Sequence, residues 1–140
     1  MRTSFAIAAA VLIATPLMGT SAYASSDGIR HRTVTRTAVS GQKYRLGSNN
    51  LVTANCGSDQ VPKVIIREAP KHGSVNTQIE PDFAKGTGPY AKCSKTKIKS
   101  AVVYYTSKPG YVGKDRIVIR VLFLNGQVDD NIVNMVVVKN

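Results

Sequence analysis

The residues of this chain that could do chemistry are few and widely spaced. Its two histidines are His31 and His72, and its two cysteines are Cys56 and Cys93. A zinc site at His72 would need further cysteine or carboxylate ligands at a spacing that the sequence does not supply. The sequence also has no glycine-rich phosphate loop of the Walker or dinucleotide-binding type. We therefore predict no metal site and no cofactor.

Acid–base and nucleophilic chemistry have no better support. Asp129 and Asp130 are neighbours on a predicted strand, so their side chains point to opposite faces and are unsuited to a shared acid–base pair. Half of a weak calcium site is the alternative interpretation of this pair. No serine lies in a nucleophile-elbow pattern, and a triad of Ser74, His72 and Asp115 is supported by residue types alone. We predict that the protein is not an enzyme; a hydrolase with an unrecognised site is the alternative.

The first residues have the pattern of a signal peptide. Arg2 is basic, Phe5–Leu17 is an apolar run, and Ala22–Ala24 is a small-x-small cleavage site. The apolar run is shorter than the roughly 20 residues of a membrane span. We predict that residues 1–24 are cleaved and that residues 25–140 form one domain without a transmembrane segment. The protein would then be bacterial and periplasmic or secreted, with an uncleaved N-terminal anchor as the alternative.

The predicted export affects the expected oxidation state of the two cysteines. An oxidising compartment and an even number of cysteines without C-x-x-C spacing favour one disulfide between Cys56 and Cys93. The alternative is a reactive thiol, which would need one free cysteine beside a base.

Charge is the strongest compositional signal. The chain has 19 Lys and Arg against 8 Asp and Glu, a net charge of +11. This balance favours anionic partners such as lipid headgroups or acidic polysaccharide, although it could serve solubility alone. Nucleic acid is not expected, because few aromatic residues lie among the basic ones and export removes the protein from most nucleic acid.

One lysine-rich segment is the best candidate for a contact surface. Glu80–Ser100 is rich in proline and glycine and predicts a long loop, which the disulfide through Cys93 would hold in place. A merely solvated loop is the alternative, and a weaker basic group lies at Arg30, His31, Arg32 and Arg36. The predicted binding residues are Lys92, Lys95, Lys97, Lys99 and Tyr90.

Seven short strands position these residues. β-branched runs, alternation and turn residues predict an all-β chain, and no segment has a convincing helical period. Asn125–Gly126 predicts a two-residue hairpin turn with positive φ at both positions. The pattern indicates an antiparallel two-sheet β-sandwich. The predicted strands are Thr33–Val39, Gln42–Leu46, Val61–Glu68, Ser74–Ile79, Ala101–Thr106, Arg116–Leu124 and Val128–Lys139.

Two segments resemble the bacterial Ig-like and cadherin-like repeats. Ala69–Val75 is similar to their P-x-H-G-x-V turn and strand, and Tyr104–Val121 is similar to their Y-x-P-x-x-G-[FY]-x-G-x-D signature. The resemblance implies an Ig-like sandwich. It does not carry over a calcium or adhesin role, because this chain has one copy, is basic and has a cysteine pair. The matching residues are Pro70, His72, Gly73, Tyr105, Pro109, Gly110, Tyr111, Gly113 and Asp115.

These motif residues have structural roles in our interpretation. Gly73, Gly110 and Gly113 lie where the chain reverses. Asp115 can accept backbone N–H bonds from its own loop, and the tyrosines can bury their rings while their hydroxyls find partners. The sequence therefore predicts a non-catalytic exported binding or structural module that contacts an anionic cell-envelope component or a protein. The alternative is a secreted inhibitor or effector of a host or competitor protein.

Overall fold

The structure, a computed structural model, describes residues 28–58 and 60–140. The predicted signal peptide, residues 1–24, lies outside the described residues. The described chain forms seven strands and one 3₁₀ helix. The strands are β1 (Ile29–Val39), β2 (Lys43–Asn49), β3 (Lys63–Glu68), β4 (Gly73–Phe83), β5 (Lys97–Ser107), β6 (Gly113–Leu122) and β7 (Val128–Val138), and the helix is Gly88–Lys95.

The strands form two sheets. One sheet has the order β1-β7-β6-β3 and the other has the order β2-β5-β4. This arrangement confirms the predicted all-β two-sheet sandwich of seven strands. Neighbouring strands are antiparallel except β1, which runs parallel to β7. In the usual Ig arrangement the first strand lies in the same sheet as the second; here it has joined the opposite sheet.

The core lies between the two sheets and follows the period of two that strands impose. Along β6, Ile117, Ile119 and Val121 are buried. The largest fully buried side chain is that of Tyr105 on β5, and Met135 on β7 is also fully buried.

The turn between β6 and β7 differs from the prediction. The N–H of Gly126 donates to the carbonyl of Phe123 at 3.0 Å, and the N–H of Phe123 donates to the carbonyl of Gln127 at 2.9 Å. Among the two predicted turn residues only Gly126, at φ +87°, is left-handed. This is the geometry of a longer loop in which a left-handed glycine follows a turn, and not of a two-residue turn.

The predicted long loop at Glu80–Ser100 is also more ordered than we expected. β4 continues through Pro81 to Phe83, and β5 already begins at Lys97. Pro81 is tolerated because β4 is an edge strand of its sheet. The 3₁₀ helix occupies most of the connection.

The disulfide holds this helix on the sandwich. Cys56 and Cys93 are bonded, as predicted, with their Cα atoms 5.1 Å apart. Around the bond, Ala84 and Ile98 form a second small core. Beside it, the buried Asn50 donates to the carbonyl of Phe83 at 3.1 Å and to Ser100 Oγ at 2.9 Å. No helix within the described residues is long and apolar enough to cross a membrane.

Candidate binding surfaces

The β4–β5 hairpin places two of the predicted lysines beside exposed apolar side chains. Phe83 lies directly opposite Lys97, and Pro81 lies opposite Lys99. Directly opposed residues of an antiparallel pair point to the same face, and Lys97 Nζ lies 5.3 Å from the centroid of the Phe83 ring. Ile79 continues the row, because it is two residues before Pro81. We call Ile79, Pro81, Phe83, Lys97 and Lys99 the hairpin patch.

The apolar members of the hairpin patch are unusually open to solvent. Ile79 is 68% exposed and Phe83 is 51% exposed. Both point to the same face of the sheet as the buried Ala101 of β5, and they lie on β4, which is an edge strand of that sheet. Large exposed apolar side chains that cluster with cations mark a contact surface more often than isolated ones do.

The other two predicted lysines lie on the opposite side of this sheet. Between Lys97 and Lys99, Ile98 points the other way and is buried against Cys93 of the 3₁₀ helix. The helix therefore covers the face opposite the hairpin patch. Lys92 and Lys95, three residues apart on that helix, share one helix side. The structure thus divides the predicted lysine set into two pairs.

Tyr90, the aromatic residue predicted with these lysines, lies elsewhere. It is 39% exposed and lines a groove together with Arg30, Arg32 and Lys85. Sequence reasoning grouped Tyr90 with the lysines because they are close along the chain. It missed Phe83 because the prediction ended the strand before Pro81. A period-two alignment of Ile79, Pro81 and Phe83 would have included it.

The motif residues come together at one end of the sandwich, around Asp115. Asp115 accepts the N–H groups of Lys71 and His72, both at 2.9 Å, and the hydroxyl of Tyr105 at 3.1 Å. We predicted that Asp115 accepts N–H bonds from its own loop. The bonds instead come from the β3–β4 turn and from the next residue, Arg116, at 3.0 Å.

These hydrogen bonds determine the ionisation of Asp115 and Tyr105. Burial disfavours the charged carboxylate, but the N–H groups of Lys71, His72 and Arg116 outweigh it and lower the pKa of Asp115. Burial, reinforced by the bond to Asp115, raises the pKa of Tyr105. Asp115 therefore stays charged and accepts hydrogen bonds at both carboxylate oxygens, so neither oxygen is free for acid–base chemistry.

The remaining motif residues build the two turns beside Asp115. The ring of His72 stacks on that of Tyr111, with 4.2 Å between their centroids. The N–H of Tyr111 donates to the carbonyl of Lys108 at 3.1 Å, which closes a turn with Pro109 second and Gly110, at φ +80°, third. Proline followed by a left-handed glycine is typical of a type II turn.

Gly113 and Gly73 are required for different reasons. Gly113 has φ +143°, a conformation that side chains disfavour. A Cβ on Gly73 would lie 2.5 Å from the carbonyl oxygen of Thr106 and 2.6 Å from the Tyr105 ring. Pro70 precedes this close approach, in the same β3–β4 turn.

A cleft of about 590 Å³ lies beside the motif residues and contains His72, Asp115 and Glu68. The two acids and the histidine that line it are already used by the fold. Glu68 pairs with Arg116, Asp115 accepts the four bonds described above, and His72 is stacked on Tyr111. Within residues 28–58 and 60–140, no three His, Cys, Asp or Glu side chains converge as metal ligands.

The outer face of the β2-β5-β4 sheet carries two further carboxylates, and each has its own partner. Glu80 accepts the hydroxyl of Tyr104 at 2.8 Å, a bond that raises the pKa of Tyr104. Asp82 pairs with Arg45 at 2.9 Å and accepts the hydroxyl of Ser48. Burial opposes the charge of Asp82, but these bonds lower its pKa overall. Asp82 therefore neutralises Arg45, whereas Glu80 is held by a tyrosine hydroxyl, and the two acids do not form a shared pair.

No family model, curated protein or solved structure matches this chain. The resemblance of its two motif segments to bacterial Ig-like repeats therefore stays a prediction.

Proposed function

We propose that this domain is a non-catalytic, exported binding module that docks on an anionic lipid surface of the bacterial envelope through the hairpin patch. The observation that carries the proposal is the pairing of Phe83 with Lys97, which places an exposed aromatic ring and an ammonium group on one face. The signal-peptide pattern and the Ig-like motifs support export and a domain of that family. The same patterns support a periplasmic or secreted location.

The chemistry of the hairpin patch suits the boundary between lipid headgroups and acyl chains. Phe83 and Ile79 can enter the apolar side of that boundary, while the long stems of Lys97 and Lys99 let the ammonium groups reach the headgroups. Each lysine near an anionic surface contributes about 1 kcal/mol, and salt screens this attraction. Two lysines alone give weak binding, so the apolar side chains must contribute for the protein to stay bound.

Sedimentation with vesicles tests this function. The protein should sediment with phosphatidylglycerol vesicles at low salt, and much less with phosphatidylcholine vesicles. Raising the salt to 1 M should release most of the protein, since the screening length then falls to about 3 Å. Equal binding to both vesicle types, or none to either, would contradict the proposal.

A second candidate function is the secreted inhibitor or effector. It is favoured by the edge position of β4, an 11-residue strand with a partner strand on one side only within its sheet. An exposed edge can accept a strand from another protein. This candidate predicts a one-to-one complex with a protein that survives high salt, whereas the lipid proposal predicts release.

A further inference from the structure

The core-facing row of β1 is unusual for a β-sandwich because it contains three arginines. β1 pairs with β7, and the β7 residues opposite this row include three that are buried in the core, Val133, Met135 and Val137. Such a row is expected to be apolar. Its residues are Arg30, Arg32, Val34, Arg36 and Ala38.

One of these arginines is neutralised by the fold and two are not. Arg30 donates to both carboxylate oxygens of Asp129, at 2.8 and 2.6 Å. Two residues farther along β1, Arg32 lies opposite Asn131, and Arg36 lies opposite Met135. In the part of the chain that the structure describes, the side chain of Arg32 makes no hydrogen bond or ion pair, and that of Arg36 makes only a 3.5 Å contact with the adjacent carbonyl of Thr35.

Beneath Arg32 and Arg36 lies a slot of about 250 Å³ between the two sheets. Its floor is apolar and includes Val103 from one sheet and Ile119 from the other. It continues into a groove of about 520 Å³, which shares Arg32 and Lys85 with it. The slot therefore combines an apolar interior with a cationic mouth.

Lys85 adds a third cation at this mouth, besides Arg32 and Arg36. Its ammonium group donates to the carbonyl of Ser48. Although the residue as a whole is exposed, desolvation of the ammonium lowers the pKa of Lys85; Asp82 opposes this effect, and the positive charges of Arg45 and Arg32 reinforce it. Arg32 and Lys85 thus repel each other, and an anion between them would relieve the repulsion.

Two amide side chains complete the polar rim. Asn49 and Asn131 both line the slot, and neither makes a side-chain hydrogen bond to any described residue. Inward-pointing charges can protect an edge strand from pairing with other chains. That role would explain arginines on β1, but not the apolar slot beneath them or the unpaired amides around it.

We propose that this slot binds a single-chain anionic amphiphile. Its carboxylate or phosphate head would lie between Arg32 and Lys85 and accept hydrogen bonds from Asn49 and Asn131. Its acyl chain would enter the slot over Val103 and Ile119. This ligand site uses none of the residues of the hairpin patch.

Calorimetric titration with decanoate, below its critical micelle concentration, tests the site. Decyl phosphate tests the alternative head group. Decanol has the chain without the charge, and acetate has the charge without the chain. We expect decanoate or decyl phosphate to bind, and both controls to bind at least about tenfold more weakly. No binding of either anionic amphiphile, or equal binding of decanol, would overturn the proposal.

Variants assign the binding to the slot. Arg32→Gln and Lys85→Gln should each weaken binding about tenfold, whereas Arg67→Gln, an exposed arginine outside the slot, should leave it unchanged. Asn131→Asp is a second test that does not depend on losing a cation. It gives Arg32 an internal carboxylate like the one that Arg30 has, so the variant should fold and lose binding. Binding by Asn131→Asp at the level of the wild type would overturn the proposal.

The two proposals can fail separately. Replacing Lys97 and Lys99 by glutamine should leave decanoate binding unchanged, and Arg32→Gln should leave most vesicle binding intact. If Arg32→Gln removed vesicle binding and decanoate binding together, the slot would not be an independent site.

Discussion

The hydroxyl of Tyr105 on β5 donates to the carboxylate of Asp115 on β6 at 3.1 Å, and these two strands belong to different sheets. The same carboxylate accepts the N–H groups of Lys71 and His72 in the β3–β4 turn. One buried charge therefore joins both sheets and one turn.

Asp115→Asn should destabilise the protein by about 3 kcal/mol, because hydrogen bonds to a charged group are worth about 1.5–3 kcal/mol each and an amide cannot accept the full set. Glu68→Gln is the matched control: its ion pair with Arg116 is exposed, so its loss should cost less than about 1 kcal/mol. Urea unfolding measures both values. Equal effects of the two variants would contradict the central role of Asp115.

The stability that Asp115 contributes should depend on pH. Its pKa is lowered in the folded protein, so its contribution is complete above the unfolded value of about 4 and is lost as the pH falls through the folded value. The difference in unfolding free energy between the wild type and Asp115→Asn should therefore be constant near neutral pH and shrink below about pH 4. Urea midpoints measured from pH 7 to pH 2 check this. A difference that stayed constant throughout would be inconsistent with a charged Asp115.

Gly73→Ala should destabilise the protein by about 1–3 kcal/mol, because the added Cβ overlaps the carbonyl of Thr106 and the ring of Tyr105 and the structure must shift. Gly47→Ala is the control, since its Cβ would meet nothing within 4 Å. Thermal unfolding of the two variants measures the difference. Similar melting temperatures would show that Gly73 does not lie in this close contact.

Reduction of the Cys56–Cys93 disulfide should lower the stability by about 4 kcal/mol on the chain-entropy model. It should also release the 3₁₀ helix first, because the second core depends on the bond. Hydrogen exchange before and after reduction measures this effect. The amides of Tyr90 and Thr96, which donate to the carbonyls of Thr87 and Cys93 at the two ends of the helix, should exchange faster, while those of β6 should not. Uniform acceleration in both regions would contradict a local role.

The sequence was sufficient to predict the sandwich, the disulfide and most strand positions. The strands were predictable because period-two alternation and turn residues are local signals. It was not sufficient for the pairing of β1. A parallel partner at the other end of the chain leaves no local signal, and only this pairing shows that Arg32 and Arg36 occupy a core-facing row.

The binding residues were predictable only in part. The lysines were visible as a run, but their division between two faces depends on Ile98 packing against Cys93. The predicted strand ends at Ile79, before Pro81, and therefore leaves out Phe83. An edge position tolerates a proline, and edge positions follow from the order of strands in the sheet and not from one strand's sequence.

The most direct test of the proposed function compares two double variants in the vesicle assay. Lys97→Gln with Lys99→Gln and Lys92→Gln with Lys95→Gln each remove two charges from the same short segment, but from opposite sides of the sheet. We expect the first variant to lose most of its binding to phosphatidylglycerol vesicles and the second to keep most of it. If both variants lose binding equally, net charge alone would account for the attraction, and the hairpin patch would not be the docking surface.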